Sequence, residues 1–382
     1  MRRKLKLLCK RFFIFISIAL TFNPLIKIKF SNYANKFIDM QSKNKLSVCI
    51  PAYNRAKYLR EVLDSVLSQK EYLFEIVICE DFSPQRLELR AIAEEYKKVY
   101  GDLINYHENE KNIGFDSNLR ELLKTANGDY CIFLGNDDVL CPGALKTLQN
   151  IVTVNPSVGV ILRGYGWFNG TPKNVVQTVK YFPDERFMPA GMESLPFFFR
   201  RSTSLAGLTV ARIPTLELET SKFDGSLFYQ LHIVGHLIMK HDGFFTPEII
   251  ALCRADETPD FGHSAAEKGK YTPGEYTIDA RIHMMNGIVT IARDLDVTYT
   301  GALDRISRDI ANYSFPWLAY HADKKPQVFK KYYLEMGKLG LKRYPMFHLY
   351  YYLIRIFGAP FIEKMINMVR NKLGYTPKLG GK

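Results

Sequence analysis

From residue 46 onward, short apolar runs alternate with segments whose apolar side chains recur at helical spacing. Residues 46–50 form an apolar run that ends at Pro51, which indicates a buried strand. The alternation continues through predicted helices at 55–69, 86–100 and 115–125 and predicted strands at 74–79, 103–107 and 130–134. Strands separated by helices of this length predict an α/β fold with a mainly parallel central sheet flanked by helices.

The net charge of +13 is distributed unevenly along the 382 residues. Residues 1–45 carry eleven Lys and Arg and one acid, and residues 324–382 carry thirteen Lys and Arg and two acids. The body between them holds 28 bases and 36 acids, so it is acidic. This layout argues against a nucleic-acid partner and favours an enzyme held against an anionic surface by its basic ends.

Polar residues follow three of the predicted strands, at the sheet edge where parallel sheets bind ligands. They are Tyr53 and Asn54 after the first strand, Glu80 and Asp81 at the second, and Asn136, Asp137 and Asp138 after the fourth. Neighbouring carboxylates repel each other unless a cation neutralises them. A hard divalent cation takes oxygen ligands from carboxylates and from substrate phosphates. The pattern therefore predicts a site for a metal and a nucleotide diphosphate, and the lack of GxxxxGK and GxGxxG motifs argues against P-loop and dinucleotide sites.

Three phrases together resemble the family 2 glycosyltransferases of the GT-A fold. They are SVCIPAYNR, EIVICEDFSPQ and NIGFDSNLRELLKTANGDYCIFLGNDDVL. The resemblance is strongest to bacterial enzymes that build O-antigen or capsular repeats, of the abequosyltransferase type. It covers residues 46 to about 150 well and weakens towards residue 254. It implies an inverting transfer of a sugar from a nucleotide-sugar donor, with Mg²⁺ or Mn²⁺ as cofactor.

The resemblance also implies roles for individual residues. The donor would be bound by Pro51, Tyr53, Asn54, Glu80, Asp81, Gly114, Asn118, Asn136 and Asp137. Asp137 and Asp138 would hold the metal. The chain departs from the family pattern at Gly135, where many members have an aspartate, and at Ser117, where an arginine is frequent.

The proton acceptor of the reaction is less well defined by the sequence. Inverting transfer needs a base that deprotonates the attacking hydroxyl, and the family usually supplies it from a Glu-Asp pair after a phrase like FDE. Here the phrase begins at Phe223 and the acidic pair is missing, with His232 near its place and Asp224 as the alternative. His232 and His236 are four residues apart, but no third ligand has a spacing that predicts a zinc site.

The chain divides into three predicted parts. Residues 1–43 form a basic and apolar segment, a candidate membrane anchor whose apolar run is shorter than the roughly 20 residues of a spanning helix. Residues 44–254 would form the GT-A domain. Residues 255–382 would hold a lid or linker at 255–274 and a helical, basic C-terminal region that packs partly on the body.

These observations predict a glycosyltransferase that extends a lipid-linked glycan at the cytoplasmic face of the inner membrane, with peripheral membrane contact. Two alternatives remain open from the sequence. One is a sugar-phosphate nucleotidyltransferase, although PAYNRAK replaces the Gly-rich loop expected after the first strand. The other is a non-catalytic binder of nucleotides or glycans, which Gly135 and the missing acidic pair keep open.

Overall fold

The computed structural model describes residues 45–69 and 73–377. The predicted membrane anchor at 1–43 lies outside the described residues. Within them the strands are β1 (Leu46–Ala52), β2 (Phe74–Glu80), β3 (Ile104–Glu108), β4 (Tyr130–Phe133), β5 (Val139–Leu140), β6 (Val158–Phe168), β7 (Val175–Val179), β8 (Arg186–Met188), β9 (Thr209–Ala211) and β10 (Asp242–Arg254).

Helices connect and cover these strands. They are α1 (Ala56–Leu67), α2 (Arg86–Tyr100), α3 (Phe115–Thr125), α4 (Ala144–Val154), α5 (Leu195–Arg201), α6 (Arg212–Leu216), α7 (Tyr229–Lys240), α8 (Ile278–Thr298), α9 (Ala302–Asn312), α10 (Phe315–Ala319), α11 (Pro326–Lys338), α12 (Pro345–Phe357) and α13 (Ala359–Leu373).

The described strands form one sheet with the order β3-β2-β1-β4-β9-β6-β10-β5, in which β7 pairs with β6 and β8 with β10. The first four strands are parallel, so that Val48 of β1 lies between Ile76 of β2 and Ile132 of β4. Strand β9 joins this half to the parallel pair β6 and β10 through antiparallel pairing. The prediction of a mainly parallel sheet flanked by helices is confirmed.

Alternate side chains of β1 enter two different cores, as expected of a strand covered on both faces. Val48 packs with the apolar face of α1, and Cys49 lies in a second cluster with Leu119 and Leu122 of α3. Because both faces are covered, β1 is buried along nearly its whole length. The carboxyl ends of the strands are therefore the part of the sheet that is open to a ligand.

The helical C-terminal region extends the core that α3 covers. Met285 of α8, Tyr332 of α11 and Phe347 of α12 are fully buried and belong to the same cluster as Cys49 and Leu119. This packing confirms that part of the tail belongs to the body. None of the helices in the described part of the chain is both long enough and apolar enough to cross a bilayer.

Candidate active site

A cleft of about 710 Å³ opens at the carboxyl ends of the parallel strands. Pro51 and Tyr53 reach it from the end of β1, Asp81 follows β2, and Asn136, Asp137 and Asp138 follow β4. Gly114 and Asn118, at the start of α3, line the same cleft. The structure thus brings together eight of the predicted donor and metal residues, although these residues are distributed along the chain from Pro51 to Asp138.

Asp81 is held at the base of the cleft by backbone and amide donors. Its carboxylate accepts hydrogen bonds from the N–H groups of Ile113 and Gly114 and from Asn109 Nδ2, each at 2.9 Å. Burial raises the pKa of Asp81, while these donors oppose the shift. The side chain is only 4% exposed, and its position is fixed before any ligand arrives.

Asp137 and Asp138 form an adjacent pair of carboxyl groups at the centre of the cleft. Asp137 forms an ion pair with Arg55, and Asp138 accepts a hydrogen bond from the N–H of Arg254 at 3.2 Å. Burial raises the pKa of Asp137, against the opposing charges of Arg55 and Arg254. Burial and the neighbouring Asp137 charge together raise the pKa of Asp138 to about 7. Two such groups would be stabilised in their charged form by a divalent cation, and their all-oxygen donor set suits Mg²⁺ or Mn²⁺.

The close packing around this pair explains the glycine that departs from the family pattern. A Cβ atom on Gly135 would lie 2.6 Å from Asp138 Oδ2 and 3.2 Å from Asp137 Oδ1. Any larger side chain at this position would have to displace one of the two carboxylates. The absence of a side chain at Gly135 therefore allows Asp137 and Asp138 to take the positions observed.

A covering loop, residues 255–277, passes over the mouth of the cleft between β10 and α8. Asp260 accepts a hydrogen bond from Asn54 Nδ2 at 2.8 Å, and Thr258 O accepts one from Arg55 Nη2 at 2.6 Å. Glu267 accepts the N–H of Phe115 at 2.8 Å, at the first turn of α3. The loop predicted as a lid or linker is thus attached to both sides of the donor half of the cleft.

Two of the predicted donor residues are not among those that line the cleft. Asn54 is used to hold the covering loop through Asp260. Glu80 is completely buried, where it accepts hydrogen bonds from the N–H groups of Phe82 and Ser83 and pairs with Arg86. Glu80 therefore shapes the turn after β2, and its neighbour Asp81 alone faces the cleft.

The two candidates for the base also lie outside the cleft lining. Both carboxylate oxygens of Asp224 are engaged by Arg120, and Ser117 Oγ donates to one of them at 3.0 Å. His232 packs against His236 with 4.7 Å between ring centroids. Burial lowers the pKa of His232 and brings that of His236 to about 4, so both rings are neutral at physiological pH. This geometry does not support a catalytic role for Asp224 or His232.

Gln230 is the polar residue of this segment that lines the cleft, beside Leu227 and Phe228. It lies in the first turn of α7, is 2% exposed, and its Oε1 has no hydrogen-bond partner among the described residues. Counting residues from Phe223 selects His232, but two positions along a helix rotate a side chain by about 200°. Sequence reasoning missed Gln230 because the start of α7 is not marked by a capping residue.

The C-terminal region supplies one wall of the cleft, which sequence reasoning also missed. Tyr276, Arg281 and Trp317 line the cleft together with Tyr165 and Trp167 of β6. The Arg281 guanidinium lies 4.5 Å from the ring centroid of Tyr276 and 5.1 Å from that of Trp317. The Nε of Arg281 is buried, and no residue at 45–69 or 73–377 forms a hydrogen bond with it. This wall combines flat aromatic surface with an available cationic donor.

The glycosyl transferase family 2 model matches residues 47–216, which include all three strand ends of the cleft. The chain contains a family 2 glycosyltransferase domain. It is 36% identical over 104 residues to abequosyltransferase RfbV of Salmonella typhimurium, covering 27% of this chain and 31% of that protein. It is 30% identical over 187 residues to an uncharacterized glycosyltransferase of Rickettsia typhi, covering 48% of this chain and 55% of that protein. The chain thus spans about a third to about a half of the length of these curated relatives.

Solved structures support the fold of the family 2 domain. The crystal structure of residues 1–349 of Staphylococcus aureus TarS in complex with UDP aligns with a TM-score of 0.52 at 16% identity, covering 77% of this chain and 80% of that chain. The predicted GT-A fold is therefore confirmed, and the predicted family 2 domain is confirmed for residues 47–216. The alignment with TarS includes 77% of this chain, which is more than the segment 47–216 that matches the family 2 model. The structural similarity to TarS therefore extends beyond the family 2 domain.

Proposed function

We propose that this protein is an inverting, metal-dependent glycosyltransferase that moves a sugar from a nucleotide-diphosphate-sugar to a glycan acceptor. The observation that carries the proposal is the convergence of Asp81, Asp137 and Asp138 on one cleft of a family 2 domain. Carboxylates that meet at one cleft can hold a cation, and a cation there would neutralise the charge that develops on a leaving diphosphate.

The donor half of the cleft fits a nucleotide. The Tyr53 ring lies beside His263 of the covering loop, with 5.2 Å between centroids, and Asp81 offers fixed carboxylate oxygens for a base or ribose. The TarS structure contains UDP, which supports a nucleotide in the corresponding half of this fold. The base of the nucleotide and the donor sugar are to be established by a donor screen.

Asp137 and Asp138 would hold Mg²⁺ or Mn²⁺, which supplies charge neutralisation for the departing diphosphate. The protein's own contribution is to keep the two carboxylates adjacent in a buried position, which Gly135 allows and Arg55 and Arg254 support. Arg55 also places a permanent positive charge beside Asp137, where it can contact a phosphate oxygen.

The acceptor half of the cleft fits a sugar. Trp167, Tyr276 and Trp317 offer apolar faces of the kind that cover sugar rings, with Arg281 as the polar anchor. Gln230 Oε1, buried and unpartnered, can accept a hydrogen bond from the attacking hydroxyl. An amide cannot take up the proton, so Gln230 would be a positioning residue. The proton of the hydroxyl would pass to a titratable side chain of the cleft lining, for which the candidates are Asp260, His263 and Glu267.

The exposed face of the last helices supports membrane contact. Phe361, Met365 and Met368 recur at spacings of four and three residues along α13, and each is 47–63% exposed. The half-exposed ring of Phe357, at the end of α12, lies 5.7 Å, centroid to centroid, from the ring of Phe361. Lys364, Arg370 and Lys372 also lie on α13. Such a helix suits the plane of an anionic leaflet. We therefore propose that the enzyme works on a lipid-linked acceptor at the cytoplasmic face of a membrane, in surface polysaccharide synthesis, and the abequosyltransferase relative supports this pathway.

A non-catalytic binder of the same fold is the second candidate, favoured by the amide of Gln230 at the cleft. A panel of nucleotide-sugars, incubated with Mn²⁺ and with lipid-linked or soluble glycans, separates the two functions. The enzyme should release the nucleoside diphosphate of one donor and extend the acceptor. Nucleotide binding without any turnover across the panel would instead establish the binder.

A further inference from the structure

A cluster of metal-ligand side chains lies between α7 and α8, apart from the residues that line the cleft. It consists of His232, His236 and Asp294, which each offer one ligand atom within 4.8 Å of the other two. His232 and His236 share one face of α7 because they are four residues apart. Asp294 comes from α8, 58 residues beyond His236, so no local spacing could have revealed it.

A close approach of the two helices brings these residues together. Gly235 lies between the two histidines in sequence, and a Cβ on it would lie 2.4 Å from Leu295 Cδ1. Leu295 is the next residue after Asp294 and is fully buried. The missing side chain at position 235 therefore lets α8 approach α7 until Asp294 reaches the histidine pair.

The orientation of His232 is the second observation that points to a ligand. Its Nε2 lies 3.0 Å from Leu218 O, which can only accept, so this nitrogen carries the proton and donates. The lone pair is then on Nδ1, which is buried and has no hydrogen-bond partner within the described part of the chain, in a residue that is 6% exposed overall. Metal-binding histidines characteristically donate the other ring N–H to a carbonyl or carboxylate in this way.

The other two residues keep a ligand atom within reach of the same point. His236 Nδ1 lies 3.3 Å from Tyr299 Oη, which leaves Nε2 without that contact. Asp294 forms an ion pair with Lys222, whose side chain is 59% exposed. The Lys222 ammonium group therefore neutralises Asp294 in this structure. Because Lys222 is exposed, a metal ion that binds Asp294 could displace its side chain into solvent.

We propose that His232, His236 and Asp294 bind a zinc-class transition metal ion that joins α7 to α8. Two imidazoles and one carboxylate suit Zn²⁺, which leaves a fourth position to water. Ligand atoms around tetrahedral Zn²⁺ are roughly 3.3 Å apart, given bond lengths near 2.0–2.1 Å. The cluster would therefore contract by about 1.5 Å at its widest on binding, with release of Lys222. The metal would fix α7 and with it Gln230, which begins the same helix.

Zinc binding to the full-length, chelator-stripped protein tests this proposal. We expect one saturable equivalent of Zn²⁺ in a calorimetric titration at this site, with affinity at least 10-fold lower in His236→Ala and in Asp294→Asn. Lys222→Ala should bind Zn²⁺ several-fold more tightly, because it removes the competing cation from an exposed position. This last variant keeps the test informative if a histidine variant does not fold.

Two controls separate this cluster from other zinc sites. His107 is exposed and outside the cluster, so His107→Ala should leave the affinity unchanged. Asp137→Asn removes a carboxylate of the cleft, so any Zn²⁺ binding that this variant loses belongs to the cleft. Zinc binding at the proposed site should be unchanged in this variant. X-ray absorption of the zinc-loaded protein should show two imidazole ligands. The absence of saturable binding, or binding that Asp137→Asn removes and Asp294→Asn leaves intact, would overturn the proposal.

Discussion

Arg55 Nη1 lies 2.5 Å from Asp137 Oδ2, inside the cleft that Asp81 and Asp138 also line. Arg55 has a left-handed backbone conformation, with φ of 60°, immediately before α1. Non-glycine residues adopt that conformation at a cost, and such positions concentrate at functional sites. The ion pair therefore links the turn after β1 to the acidic pair after β4, and its partner Asp137 is the group that would bind the metal.

Removal of the Arg55 side chain should increase the affinity of Asp137 for an added divalent cation. We expect Arg55→Met to raise the Mn²⁺ affinity of the metal-free protein about 3–10-fold, because a competing positive charge is lost. Donor affinity should fall, since Arg55 also holds the covering loop through Thr258 O. Electron paramagnetic resonance titration of Mn²⁺ measures the first effect. Lys57→Met is the matched control, since Lys57 contacts the same loop through Glu257 from an exposed position; equal Mn²⁺ affinity in both variants would contradict the prediction.

A side chain at position 135 should disturb the acidic pair. Gly135→Ala is expected to lower metal-dependent turnover at least 10-fold and to destabilise the protein by about 1–3 kcal/mol, since the new Cβ would be 2.6 Å from Asp138 Oδ2. Gly337→Ala is the control, because its nearest neighbour would be at 3.5 Å in a helix. Steady-state kinetics and denaturant unfolding measure the two effects. A Gly135→Ala enzyme with normal activity would show that the spacing of the pair is unimportant.

The amide of Gln230 should affect turnover more than stability. We expect Gln230→Ala to lower kcat with the acceptor at least 10-fold and to change donor affinity little, because Gln230 lines the half of the cleft assigned to the acceptor. Gln149 is a second buried glutamine with an unpartnered Oε1, on α4 and outside the cleft lining. Gln149→Ala should keep normal kcat. If Gln230→Ala raised only the donor KM, its assignment to the acceptor would be wrong.

The contribution of Asp116 and Asp138 to the stability of the metal-free protein should fall as pH rises from about 4 to about 7, while the lowered pKa of His236 acts in the opposite direction. Asp116 and Asp138 both have a folded-state pKa raised to about 7, mainly by burial. Between their ordinary pKa and 7, the folded state holds protons that the unfolded state has released, so rising pH favours unfolding, and the decline should level off above 7. Thermal melts across this range should show that the melting temperature of the wild type falls relative to that of Asp138→Asn as pH rises, because the histidines are common to both proteins. Parallel slopes would contradict the raised pKa of Asp138.

The exposed apolar face of α12 and α13 should govern vesicle binding. The double variant Phe361→Asp and Met368→Asp should lose most of its sedimentation with anionic phospholipid vesicles, while its circular dichroism is unchanged because both side chains are half exposed or more. Val297→Asp, on α8, changes a more exposed apolar residue elsewhere and serves as the control. Equal sedimentation of all three proteins would remove the case for this face.

The elements of the donor half could be predicted from sequence because their signals are local. Apolar periodicity marks β1 and α1, and the acidic residues follow directly after their strands, so Asp81 and Asp137 needed only the rule that parallel strands end at one edge. The acceptor wall lacked such a signal. Arg281 and Trp317 lie on helices more than 140 residues beyond Asp137, and only tertiary packing carries them to the cleft.

The sequence signal for the base is weak for a different physical reason. The prediction of His232 rests on counting along the chain from Phe223, with Asp224 as the alternative, and counting does not determine the direction of a side chain on a helix. Asp224 is instead neutralised by Arg120, a residue of α3 more than 100 positions away. His232 points to Asp294 rather than to the cleft, for the same reason that Gln230 points into it.

Nucleotide binding with and without divalent cation tests the central claim most directly. Calorimetric titration of UDP, GDP and TDP into the wild type and Asp137→Asn, each with Mn²⁺ or with chelator, compares the two states of the acidic pair. We predict that one nucleotide binds at least 10-fold more tightly with Mn²⁺, and that Asp137→Asn loses this gain together with sugar transfer. Nucleotide affinity that is the same with Mn²⁺, with chelator and in Asp137→Asn would contradict a metal-bridged diphosphate in this cleft.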